Sequence, residues 1–200
     1  PILAELSNQG GIDRLRLEIR SGAENPVDYW TPFQRGQIGY LASKRRYYEK
    51  INDNDDPGVL NPAGVQFAEL DFRVENIILP AQRIAAARGR RLKVVLCYVD
   101  FKWTEAKGTL SQARHPQEYA ELIAATYAHL KAKYGLVPDA LEVVLEPDNT
   151  DDWGGREIGA AMVATAARLQ AAGVQAPMIA PSTAAGSVAA GYFDDMAKVP

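Results

Sequence analysis

A glutamate ends one apolar run of the sequence, at a position where its carboxylate could act as an acid or a base. Residues 143–149 have the sequence VVLEPDN, so three strand-forming residues lead into Glu146 and then Pro147. Partial removal of water raises the pKa of a carboxyl group, which suits a general acid near neutral pH. Pro147 biases Glu146 towards extended geometry, which would hold the carboxylate in place. The pattern fits equally a glutamate that caps the next helix or pairs with an arginine.

The spacing of apolar residues along the chain predicts the strands and helices that must position this carboxylate. Short apolar runs predict four strands, at 14–20, 92–99, 140–146 and 176–182. The second and third are continuous enough to be buried on both faces, as parallel strands are. Helical spacing predicts helices between and around them, at 2–8, 67–88, 116–134, 154–172 and 188–198. Pro80 lies inside one of these helical patterns and predicts a kink or break there.

The alternation of strands and helices predicts an α/β fold with right-handed parallel crossovers. An open doubly wound sheet and a (β/α)8 barrel share this order. The glycine fingerprint of a nucleotide-binding fold is absent, and polar and aromatic residues follow the strand ends, which favours the barrel. We predict that the 200 residues form roughly half of one (β/α)8 TIM barrel domain. A long loop at about 21–66 exceeds the usual connection length and predicts a functional or disordered segment.

Composition narrows the possible partners. The net charge is −3, which argues against a nucleic-acid partner because such proteins usually carry a basic face. No apolar run approaches the length of a membrane span. The single cysteine, Cys97, excludes a disulfide within the chain and leaves the compartment open. The sequence predicts no oligomeric state and no cofactor.

One acidic segment has some features of a calcium-binding loop. Residues 52–58 have the sequence NDNDDPG, in which Asp53 and Asp55 match the first ligand positions. Pro57 replaces a ligand, and Gly64 stands where the closing glutamate belongs. The segment therefore favours a solvated turn, and we predict no metal site.

Several of these segments together resemble the clan A glycoside hydrolases, which are retaining (β/α)8 enzymes. The segment EVVLEPDN resembles the clan's fourth strand, which ends on an Asn-Glu pair, often followed by Pro, whose Glu is the acid/base. RLRLEIRSG is similar to the second strand, where Arg16 best matches an arginine of the barrel mouth. KVVLCYVDFKW is similar to the third strand and PMIAPST to the fifth. The resemblance implies that Glu146 is the acid/base, that the nucleophile glutamate lies outside this chain, and that Arg16 positions it.

The same resemblance implies a carbohydrate substrate and a set of residues to bind it. Trp103 and Trp153 could stack on sugar rings, although core or loop packing accounts for them equally well. Leu145 stands where the clan has the asparagine that binds a sugar 2-hydroxyl. Asn149 could supply a replacement amide.

Two other functions fit the same residues. Because Leu145 replaces the expected asparagine, the chain could be a carbohydrate-binding barrel that has lost hydrolysis. It could also be an unrelated barrel enzyme, such as a lyase or isomerase, that uses Glu146 as its acid/base. That enzyme would carry a phosphate or metal site among later strands.

Overall fold

The four predicted strands form one parallel sheet. A computed structural model describes residues 11–200, so the helix predicted at 2–8 lies outside the described residues. The strands are β1 (Arg14–Arg20), β2 (Lys93–Val99), β3 (Ala140–Glu142) and β4 (Met178–Ile179). They pair in parallel in the order β1-β2-β3-β4. Strands that follow each other in the chain are therefore neighbours, whereas a doubly wound sheet reverses its strand order. The predicted α/β fold with parallel crossovers is confirmed.

Helices connect these strands and follow the last one. They are α1 (Trp30–Gln34), α2 (Tyr40–Lys44), α3 (Ala68–Arg73), α4 (Leu79–Ala86), α5 (Pro116–Tyr134), α6 (Gly155–Ala171) and α7 (Ala189–Met196). A π-helical segment, Val74–Ile78, joins α3 to α4 directly before Pro80. Proline has no N–H to donate to the carbonyl four residues earlier, so the hydrogen-bond ladder shifts there. This is the irregularity that Pro80 predicts.

The ends of α5 and α6 follow from local sequence. Pro116 occupies the first helical position of α5, where no N–H is needed. Gly135 ends that helix with a φ of 62°, a left-handed conformation that costs glycine little. Gly173, with a φ of 69°, follows α6 in the same way. No helix within residues 11–200 is long and apolar enough to cross a membrane.

The two faces of the sheet differ in character. Leu17 and Ile19 of β1 are buried in the same core cluster as Ile123 of α5 and Ile158 of α6. Right-handed crossovers between sequential neighbours place the connecting helices on this one face. Because strand side chains alternate, Arg16 belongs to the opposite face. That second face carries charged side chains of β1 beside apolar side chains of β2.

The long loop, residues 21–66, is tied to the carboxyl edge of the sheet, which is the edge formed by the C-terminal ends of the four strands. Lys50 Nζ of the loop lies 2.7 Å from Oδ1 of Asp100, which directly follows β2, and within the loop the N–H of Ile51 donates to the carbonyl of Glu24 at 2.8 Å. The loop contains α1 and α2. It is therefore an ordered cover over the strand ends.

Substitution of two buried tyrosines tests the hydrogen bond that supports the chain directly after β3. The Tyr119 hydroxyl donates to the carbonyl of Val143 at 2.6 Å, whereas the buried Tyr127 hydroxyl has no partner. We expect Tyr119→Phe to lower the free energy of unfolding by about 1–2 kcal/mol, because a buried carbonyl loses its donor. Tyr127→Phe should be neutral or stabilising. Urea unfolding of both variants measures the difference, and equal losses would contradict this account.

Candidate active site

Side chains from several strands meet at the carboxyl edge. Ser21 and Asp100 directly follow β1 and β2, and the Ser21 hydroxyl donates to Asp100 Oδ1 at 2.8 Å. Further along the edge, the N–H of Glu146 donates to the carbonyl of Ser182 at 3.0 Å. These contacts join the ends of β1 and β2 on one side and of β3 and β4 on the other. The predicted location of the chemistry, beyond the strand ends, is therefore a continuous surface.

Asp100 is a buried carboxylate with a complete set of partners. Lys50, from the long loop, places its Nζ 2.7 Å from Oδ1 and 2.8 Å from Oδ2. Trp153 Nε1 donates to Oδ2 at 3.0 Å, beside the bond from Ser21. Lys50 is itself buried. A buried ion pair tolerates loss of water only when such hydrogen bonds surround it. Asp100 thus holds the long loop to the sheet.

Trp153 belongs to the core and does not face the cleft. Its side chain is 2% exposed. Its ring packs edge-on against Tyr98 at a centroid distance of 5.6 Å and Tyr119 at 5.3 Å. A ring enclosed in this way offers no face to a sugar, which corrects the expectation that Trp153 is a stacking platform. Core packing was the alternative explanation for this residue.

Glu146 has an unusual backbone conformation. Its φ is 48° and its ψ is 60°, and it is the only non-glycine residue with a positive φ in the described part of the chain. The expected extended geometry before Pro147 is therefore corrected. Asn149 N–H donates to the Glu146 carbonyl at 2.8 Å, closing a short 3-10 turn. Such strain persists where surrounding bonds impose it, often at functional sites.

The Glu146 side chain is half-buried and held by its neighbour. Asn149 Nδ2 donates to Glu146 Oε2 at 3.0 Å. The structure therefore brings together two of the residues proposed from sequence. Val143 and Val144, just before, are consecutive and both buried in the core cluster. The regular alternation of buried and exposed side chains along the strand therefore stops before Glu146. The Glu146 carboxylate does not continue that pattern.

Trp103 differs from Trp153 in its exposure. It is 59% exposed and lies in the loop after β2. Its ring centroid is 4.8 Å from that of Phe101, at an interplanar angle of 34°. Phe101 in turn packs edge-on against Tyr48 at 6.0 Å. Trp103 thus keeps accessible ring surface on an aromatic support.

The Arg16 side chain reaches Glu142, the last residue of β3, and so already has a carboxylate partner. Its Nε is 2.8 Å from Glu142 Oε2 and its Nη2 is 3.2 Å from Oε1. Ser182 Oγ donates to the same carboxylate at 2.5 Å. Register places Arg16 beside Val95, near the start of β2. Arg16 is therefore held in an ion pair with Glu142, and its expected role at the barrel mouth stays a prediction.

Arg20 is the arginine of β1 that reaches the carboxyl edge. It pairs in register with Val99, the last residue of β2. Its Nη1 is 2.6 Å from Glu69 Oε1, and its guanidinium lies 3.7 Å from the centroid of the Tyr47 ring. The sequence pattern missed both Arg20 and Glu142. The charge inside the otherwise apolar run LEVVL, residues 141–145, was the available signal for Glu142.

A second buried carboxylate, Glu24, lies at the base of the long loop. Tyr98 donates its hydroxyl proton to Gln112 Oε1, and Gln112 Nε2 donates to Glu24 Oε2. Burial raises the pKa of Glu24 to about 8, and the nearby charges of Asp53 and Glu118 act in the same direction. Sequence inspection gave no signal for this residue, because it lies outside any strand or motif.

Comparisons with known proteins gave no match to a family model, to a curated protein or to a solved structure. Fold alone does not establish function, because one α/β architecture supports many activities. The functional argument therefore depends on the groups at the carboxyl edge. Among the site residues proposed from sequence, Glu146 and Asn149 are partly exposed there and Trp103 is exposed.

The strain at Glu146 is measurable by comparing two truncations. Glu146→Ala and Glu146→Gly both remove the carboxylate and its bond to Asn149, but only alanine keeps a β-carbon. A β-carbon disfavours left-handed backbone, so we expect the glycine variant to be more stable by about 1 kcal/mol. Chemical denaturation measures this difference. A glycine variant less stable than the alanine variant would contradict the left-handed conformation.

The ion pair between Lys50 and Asp100 gives a second prediction. Lys50→Met leaves a buried carboxylate without its cation, so we expect a loss of about 3–5 kcal/mol in unfolding free energy. Lys107 pairs with Asp151 at a half-exposed position, and Lys107→Met should cost less than about 1 kcal/mol. Thermal and urea unfolding compare the two variants. Similar losses of unfolding free energy in the two variants would show that burial does not determine the contribution of the Lys50–Asp100 pair to stability.

Proposed function

We propose that this chain belongs to a retaining glycoside hydrolase with a (β/α)8 catalytic barrel, and that Glu146 is its general acid/base. The observation that carries the proposal is the carboxylate of Glu146, held at the carboxyl edge by a left-handed backbone and by Asn149. Barrel enzymes place their catalytic groups at this edge. The substrate class is an oligosaccharide, a polysaccharide or a glycoconjugate.

The sheet supports the barrel part of the proposal. Four parallel strands in sequential order, with their helices on one face, are the repeating unit of a barrel. The opposite face would then be the barrel interior. Its charged pair, Arg16 with Glu142, would lie in an interior layer below the mouth.

The mechanism follows from the roles of two carboxylates. Glu146 donates a proton to the glycosidic oxygen while the nucleophile attacks the anomeric carbon, forming a glycosyl-enzyme. Glu146 then accepts a proton from water, which releases the sugar. We assign the nucleophile to a glutamate outside the printed chain.

Glu142 is not assigned the nucleophile's role. In the clan that the sequence resembles, the nucleophile and the acid/base come from different strands, whereas Glu142 and Glu146 belong to the same strand end. The Glu142 carboxylate is also already bound by Arg16 and Ser182.

Substrate contacts are assigned to two residues. Trp103 would stack on a sugar ring, because its exposed face suits the C–H surface of a pyranose. Asn149 would orient the acid/base through the bond to Glu146 Oε2. Arg16 and Trp153 have no direct substrate contact in this proposal.

Leu145 favours one alternative, a carbohydrate-binding barrel without hydrolysis. Its side chain cannot accept or donate the hydrogen bond that the clan's asparagine makes to a sugar 2-hydroxyl. That bond strengthens in the transition state. A barrel without it could still bind sugar through Trp103.

The intact protein and its Glu146→Ala variant should be compared on a panel of aryl glycosides, with and without azide. We expect the variant to lose about two to four orders of magnitude in rate on poor leaving groups, because these need a proton. Activated leaving groups should react normally in the first step, and azide should partly restore turnover.

The matched control is Glu105→Ala, which removes an exposed carboxylate from the loop after β2. Its rates should equal those of the wild type. If the wild type cleaves no glycoside yet binds oligosaccharides, the binding alternative replaces hydrolysis. If Glu146→Ala matches an active wild type on every substrate, Glu146 is a structural residue.

A further inference from the structure

Three carboxylates converge at the base of the long loop, away from Glu146. Glu24 follows β1, Asp53 comes from the middle of the loop and Glu118 from the first turn of α5. One oxygen atom from each lies within 4.8 Å of the other two. We call Glu24, Asp53 and Glu118 the acidic cluster.

One oxygen of each carboxylate in the acidic cluster is buried and has no hydrogen-bond donor among residues 11–200. Glu24 is 2% exposed and Glu118 is 7% exposed. Glu24 Oε1, Asp53 Oδ1 and Glu118 Oε2 are inaccessible to solvent and have no hydrogen-bond partner, and the same holds for Asn52 Oδ1 beside them. Burying a carboxylate charge without a partner is costly, so the three unpartnered carboxylate oxygens indicate a missing positive charge.

The nearest basic side chain of α6 is already engaged. Arg168 Nη2 is 3.0 Å from Glu121 Oε1, and its Nη1 donates to the carbonyl of Pro57. Arg168 therefore neutralises Glu121, beside the acidic cluster, and does not donate to the three unpartnered oxygens.

Asp53 is held so that one oxygen points into the cluster. Its Oδ2 accepts from the N–H of Asn61 and, at 2.9 Å, from Asn54 Nδ2, which leaves Oδ1 free. Gly64 makes the approach possible, because a β-carbon there would overlap the β-carbon of Asp53. The loop is thus shaped to present this carboxylate.

We propose that Glu24, Asp53 and Glu118 bind one Ca²⁺ ion, with Asn52 Oδ1 as a further ligand. Calcium takes oxygen ligands at about 2.3–2.6 Å, so ligands on opposite sides of the ion are about 4.6–5.2 Å apart. The spacing of the cluster fits within that span. Zinc favours nitrogen and sulfur ligands, and magnesium usually retains several waters, which a buried site does not accommodate.

The ion would fasten the long loop to α5 and to the end of β1. Glu24 lies at the start of the long loop, four residues after β1, Asp53 lies in the middle of the loop, and Glu118 lies in α5. The same loop carries Lys50 to Asp100. Calcium would therefore stabilise the cover of the carboxyl edge without contacting Glu146, and this inference stands independently of the proposed hydrolase activity.

Binding is tested with Ca²⁺ alone on the intact protein after treatment with EDTA. We expect one Ca²⁺ per cluster by calorimetry, and a rise in Tm of about 5–10 °C at a hundredfold excess over Kd. Asp53→Asn should weaken Ca²⁺ binding by about tenfold or more and reduce the shift. Mg²⁺ at the same concentration should give a smaller shift.

Asp55→Asn is the control, because it removes the same charge from an exposed position in the same segment and should retain full Ca²⁺ binding. If Asp53→Asn does not fold, two other measurements decide the question. These are Ca²⁺ binding by Glu118→Gln, which should also be weaker, and the number of Ca²⁺ ions bound by the wild type. A wild type that binds no Ca²⁺ overturns the proposal. So does an Asp53→Asn variant that binds as tightly as Asp55→Asn.

Discussion

The carboxylate of Asp100 is the point at which the loop, two strand ends and the core are joined. It accepts from Ser21 after β1, from Lys50 in the long loop and from Trp153 after β3. Gly108 allows the backbone of Lys50 to approach, since a β-carbon there would overlap the Lys50 carbonyl. A buried charge is stable only with all of these partners present. The geometry of the carboxyl edge therefore depends on this one ion pair.

The two buried acidic centres at the long loop differ in how their negative charge is balanced. Asp100 receives a lysine from the loop itself. Glu24 faces two further carboxylates, and three oxygens of that group have no donor. Both centres involve the long loop: Lys50 binds Asp100 after β2, and Asp53 lies beside Glu118 of α5. A lysine neutralises Asp100, but no side chain within residues 11–200 does the same for the carboxylates around Glu24. This difference is the physical basis for inferring a cation at Glu24.

The sequence correctly predicted features that depend on neighbouring residues alone, such as the bounds of some strands and helices. The bounds of β1 and α5 agree with the apolar periodicity and with the proline and glycine at the helix ends. The burial of Trp153 and the pairing of Arg16 with Glu142 could not be predicted in this way. Each depends on residues far away in the chain, 53 positions for Trp153 with Asp100 and 126 for Arg16 with Glu142. The (β/α)8 barrel and the roles of Glu146, Trp103 and Asn149 remain predictions.

The strand end that carries Glu146 shows why proline did not determine its conformation. Pro147 alone favours an extended residue before it, but three contacts act together against that preference. The carbonyl of Ser182 accepts from the Glu146 N–H, Asn149 closes the turn, and Tyr119 fixes Val143 below. Left-handed backbone costs an ordinary residue about 1–2 kcal/mol, and glycine would avoid that cost. The turn itself therefore does not require a glutamate at this position, and the proposed acid/base role would account for one.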